Sequence, residues 1–86
     1  MMPTTITEQV AATSVRFVDD ILFVSLSDGR EISLPLGRVE WLAWLAKASH
    51  QQRSKWSIEP GGFAIYWEEL DDGIEVRHLL EQQSLA

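Results

Sequence analysis

Cysteine is absent from all 86 residues, which removes disulfides, thiolate metal ligands and a cysteine nucleophile in one stroke. Long apolar runs are absent too. The most apolar stretch, VEWLAWLAKA, contains Glu40 and is half the ~20 residues a membrane-spanning helix needs. The opening MMPTTITEQVAATS has neither the basic start nor the sustained apolar centre of a secretory leader, so the expected address is the cytoplasm, away from membranes. Positive charge is scarce. Seven Lys and Arg face thirteen Asp and Glu, a net charge of -6, and such a surface repels phosphate backbones and anionic lipids. Direct nucleic-acid binding is therefore not expected. Enzyme signatures are missing as well. No Gly-x-Ser-x-Gly elbow occurs, and EPGGFA lacks the Gly-Lys-Ser/Thr ending of a phosphate loop. Neither a catalytic residue nor a cofactor is expected.

A chain this short makes one domain and hides only about 60–65% of its unfolded surface, so its core must be efficient. Its 45% hydrophobic content is that of a folded protein. Residues 1–13 are small, polar and unpatterned, and are expected to form a flexible segment; 14–82 form the domain, and 83–86 fray. SVRFV and ILFVSL alternate in the manner of strands across the turn residues Asp19-Asp20. Leu22, Val24 and Leu26 share one face of the second strand. Asp28-Gly29 supplies a short hairpin turn into EISLPL, with Ile32 and Leu34 inward and Pro35 ending the strand.

The period then changes to 3.6. From Arg38 to His50 the residues Val39, Trp41, Leu42, Trp44, Leu45, Ala46 and Ala48 cover roughly 220° of a helical wheel, about twice what an ordinary surface helix buries. SHQQRSK is a polar connection; WSIE and FAIYW form a hairpin around Pro60-Gly61-Gly62; and Gly73 to about Gln82 is a helix. The expected fold is α+β: an antiparallel sheet made of a three-stranded meander plus a hairpin, order βββαββα, with helices on one face.

Three stretches invite a functional reading. YWEELDDGIE gathers Glu68, Glu69, Asp71, Asp72 and Glu75. Asp72 and Glu75 have capping-box spacing, so the expectation is a helix cap with acids at the positive end of the dipole. The acids are adjacent rather than alternate, which fails the spacing of a calcium loop. No metal ligand is assigned, although a small metal-dependent or hydrolytic protein built on these acids is the rival from another class. His50 and His78 lack any zinc spacing. Arg53 and Lys55 beside Trp56 make a weak basic-aromatic signal.

The four tryptophans say more. Trp41 and Trp44 widen the apolar arc past what one sheet covers, and Trp is enriched at interaction hot spots. Either the helix is sunk deep in the fold, or this edge meets a second copy or a small protein partner, with Trp41, Trp44, Ala48 and Arg53 as the contact residues.

DGREISLPL, AKASHQQRSKW and GFAIYWEELDDGIEVRHLL together resemble domain-of-unknown-function family 2442, in the same order and over Val15 to Leu80. Three departures stand out. The chain has Ala43-Trp44-Leu45 where that family often has Pro-Arg-Leu, Tyr66 where it often has histidine, and Asp71-Asp72-Gly73 in place of a three-acid run. The exchange of Arg for Trp44 enlarges the apolar edge. The resemblance implies a small α+β domain, which in some longer relatives precedes a DNA-binding helix-turn-helix. Relatives are frequently encoded beside a second small protein in pairs like toxin–antitoxin modules. It thus implies a non-enzymatic interaction domain of antitoxin type, or a transcriptional accessory that acts through a DNA-binding partner.

Overall fold

The computed structural model describes residues 10–84. Strands β1 (Ala12–Val18), β2 (Ile21–Leu26) and β3 (Glu31–Pro35) form one antiparallel sheet in the order β1-β2-β3. Alternation builds it as expected: Leu22, Val24, Leu26, Ile32 and Leu34 all point into the core, and Val24 pairs with Ile32 and Leu22 with Leu34. β1 starts at Ala12, inside the stretch expected to lie outside the domain. A register irregularity between Ala12 and Ser14 puts Ala12 and Val15, three residues apart, on the same buried side. The outer face is braced by Arg16, whose guanidinium lies 4.2 Å from the Phe23 ring centroid and 3.2 Å from Glu31. Of the expected flexible segment, residues 1–9 lie outside the described residues.

The single helix expected from Arg38 to His50 is not formed. Single 3-10 turns occupy Leu36–Arg38 and Glu40–Leu42, helix α1 covers only Ala43–Ala46, and helix α2 covers His50–Arg53. Two extended residues break the run: Val39 (φ -110°, ψ 104°) and Ser49 (φ -73°, ψ 164°). Ser49 has a reason to leave the helix. Its hydroxyl accepts from the Gln52 backbone N–H at 3.1 Å while the Gln52 side chain accepts from the Ser49 N–H at 3.0 Å, a full capping box for α2.

The second sheet has one strand more than a hairpin. β4 (Trp56–Ile58), β5 (Ala64–Trp67) and β6 (Asp72–Glu75) run in the order β4-β5-β6, all antiparallel. α3 (Val76–Ser84) follows directly and extends two residues beyond the expected end of the domain. The expected cap at Asp72 and Glu75 is therefore corrected. Both residues belong to β6, and the helix starts after them. Ile74 decides the matter, because pairing with Ile65 buries it between exposed Gly73 and Glu75, a period of two rather than 3.6.

Both sheets and the helices share one core. Trp67, Ile65, Leu42, Leu45 and Leu79 are wholly buried in it along with Leu22 and Val24. Trp67 is its largest member. Its ring meets Phe17 at 6.4 Å and Trp44 at 5.7 Å, both edge-on, and its indole N–H donates to the Arg53 carbonyl at 2.9 Å. The architecture is α+β. Among the described residues, no helix is long and apolar enough to cross a membrane.

Candidate functional site

The residues expected to meet a partner have divergent fates. Trp41, Trp44 and Ala48 are half-buried, and Ala43 between the two indoles is exposed. Trp41 sets its ring edge-on to His78, centroids 4.4 Å apart. Trp44 packs edge-on against Trp67, and its N–H donates to the Trp41 carbonyl at 3.0 Å. The two indoles thus lean on the core from its rim. They are neither sunk beneath a sheet nor freely presented. Each packs against the core and is only partly covered, and Val39 and Ala46 continue the half-buried apolar surface.

Arg53 is withdrawn from that surface, and its expected contact role is corrected. Its side chain is buried, donating from Nε to the Leu45 carbonyl (3.2 Å), from Nη2 to the Ala46 carbonyl (2.9 Å) and from Nη1 to Asp20 (3.0 Å). A continuous helix would satisfy those two carbonyls with the N–H groups of Ser49 and His50. Because the chain turns out of helix at Ser49, Arg53 takes over as a side-chain cap for α1. The same step dissolves the basic-aromatic signal. With Arg53 buried, Lys55 is held 2.8 Å from Glu69, and Trp56 is half-buried opposite Trp67.

The acids of residues 68–75 are exposed and spread along a turn and an edge strand. Glu68 and Glu69 start a 3-10 turn, Asp71 closes it in the left-handed region (φ 51°, ψ 44°), and Asp72 and Glu75 follow in β6. Tyr66 donates its hydroxyl to Asp71 at 2.8 Å, which raises the phenol above its ordinary value of 10.0 because the bond and the nearby negative charges favour the protonated form. Among the described residues, no three His, Asp or Glu side chains converge as metal ligands would.

A feature that sequence reasoning missed lies at the far end of the second sheet. A groove of about 580 Å³ is lined by Val10, Phe63, Ala64, Glu75, Val76, Arg77 and Leu80. Phe63 is 48% exposed there, while most large apolar side chains of the fold are covered. The available signal was the pair of glycines ahead of an aromatic in PGGF, which the hairpin reading had absorbed as a turn.

Residues 12–83 match the family described as protein of unknown function DUF2442. A solved structure of a protein of unknown function from Rhodospirillum rubrum superposes with a TM-score of 0.72 at 22% identity, covering 87% of this chain and 89% of that one. At that identity the likeness speaks for the fold. No curated protein matched the chain.

Proposed function

The chain belongs to the DUF2442 family, and from that premise we propose that it is a non-enzymatic interaction domain of the cytoplasm, acting as the antitoxin-like member of a small two-protein module. The observation that carries this reading is the posture of Trp41 and Trp44. Each indole packs against the core and is only partly covered. A half-anchored aromatic loses little side-chain freedom on contact, which is how a few residues come to dominate an interface. The net charge of -6 favours a basic partner, steering encounter and suppressing wrong contacts. Arg53 has no part in the contact, since its work is internal.

The test is titration calorimetry of the chain with the small protein encoded beside it. Trp44→Glu is expected to weaken binding by at least about tenfold, with the circular dichroism spectrum unchanged, and added salt is expected to weaken the wild-type complex. A wild type that ignores that neighbour and also fails to associate with itself would remove the reading.

A further inference from the structure

The groove beside Phe63 is built rather than incidental. Its Pro60-Gly61-Gly62 turn uses two residues of positive φ, 89° and 77°. A Cβ on Gly61 would stand 2.8 Å from the Phe63 ring, and one on Gly62 would stand 2.7 Å from the Ala11 methyl and 3.0 Å from the Ala12 carbonyl. Both bare backbones are needed for the turn to hold the ring at the groove while packing against the start of β1. Opposite charges line the same groove. Glu75 ends β6 and Arg77 is the second residue of α3; both are exposed. Among the described residues the ion pairs are Arg16–Glu31, Arg30–Asp28, Arg53–Asp20 and Lys55–Glu69, so Glu75 and Arg77 each stand there without one.

A basic or an acidic partner would satisfy one of these charges and oppose the other. A second copy related by a twofold axis satisfies both, because Glu75 meets the opposing Arg77 and Arg77 the opposing Glu75. The same axis gives each Phe63 the half-buried apolar wall of Val10, Ala64 and Leu80 on the other copy. We propose that this groove is a self-complementary contact through which two copies of the chain pair. The proposal rests on the interaction reading and supplies it with a second surface, separate from the Trp41/Trp44 rim. A patch centred on one groove lies at the small end of specific interfaces, so the association is concentration-dependent.

Sedimentation velocity of the full chain over a concentration series tests it. The mass is expected to rise from 9.8 kDa towards twice that value. Phe63→Glu should shift the midpoint at least about tenfold. Glu75→Arg alone and Arg77→Glu alone should each weaken pairing, because like charges then face each other. Mixing those two variants should restore it as a one-to-one heterodimer, each supplying the sign the other lacks. That mixing experiment stands even if Phe63→Glu proves poorly folded. A wild type monomeric up to about 1 mM, a dimer indifferent to Phe63→Glu, or a mixture that stays monomeric would each overturn the contact. A monomer that still binds its neighbour-encoded protein through Trp44 would overturn this contact alone and leave the interaction reading standing. So would a groove occupied by that heterologous protein.

Discussion

Arg53 is where a single side chain does most for this fold. Its Asp20 partner is 78% exposed, so the ion pair itself is worth little in water-rich surroundings, whereas the buried guanidinium is the donor to the Ala46 carbonyl and shares the Leu45 carbonyl with the Ala48 N–H at 3.1 Å. Arg53→Met is accordingly expected to cost about 3 kcal/mol and Asp20→Asn less than about 1 kcal/mol, read by urea unfolding. Equal losses would mean the charge pair, not the carbonyls, is what matters. The glycines separate by the same reasoning. Gly62 combines φ 77° with atoms at 2.7 and 3.0 Å, Gly29 has φ 94° in open space, and Gly37 has neither a positive φ nor a neighbour within 4 Å. Replacement by Ala should therefore cost more than about 2 kcal/mol at Gly62, about 1 at Gly29, and nothing or a slight gain at Gly37. Thermal melts of the three variants give the ranking. The glycine at 29 was legible from its Asp-Gly turn. The demand at 62 was not, because the atoms it avoids belong to residues fifty positions earlier.

At the scale of elements, the capping box is present but sits at Ser49–Gln52 rather than Asp72–Glu75. Ser49→Ala is expected to cost about 1 kcal/mol and Asp72→Ala within about 0.5 kcal/mol of nothing; chemical denaturation of both variants distinguishes the two placements. The strand–turn–strand that replaced the expected cap has its own signature. Tyr66 is held protonated by Asp71, so its folded pKa lies above the unfolded value near 10.0. A group raised in the folded state contributes its stability below the unfolded pKa, and that stability is lost as pH climbs through the folded one. Tyrosinate absorbance should therefore appear at higher pH than in the unfolded chain, and Asp71→Asn should bring it back down. Asp28 runs the opposite way at the first hairpin. The Arg30 backbone N–H, at 3.0 Å, and then its guanidinium depress the carboxyl below 3.8. Its contribution is present above that value and disappears as pH falls through the lowered pKa. Both hairpins of strands β1–β3 were legible because alternation and turn residues are local. The break-up of the expected long helix was not, since hydrophobic periodicity does not see Ser49 choosing a cap or Arg53 reaching back eight residues.

For the whole molecule, an excess of six negative charges governs behaviour in solution. Solubility should fall to a minimum near the calculated isoelectric point of 4.7 and recover on either side, which turbidity across a pH series measures. The proposed twofold pairing through the groove would bring two such bodies together. Its strength would then depend on local Glu75–Arg77 pairing outweighing a general repulsion that salt screens within about 8 Å under physiological conditions.

Composition, charge and the alternating strands needed only the order of the residues. They were enough to determine a small α+β domain, poor in basic surface and without cysteine chemistry. The three-dimensional packing alone decided which tryptophans stand at the rim, that Arg53 is structural, that Asp72–Glu75 is a strand, and that Phe63, Glu75 and Arg77 share a groove. The reason is that strand alternation and tight turns are settled within a few residues. Burial, capping by a distant side chain and the meeting of opposite charges depend on where two remote stretches of chain come to rest.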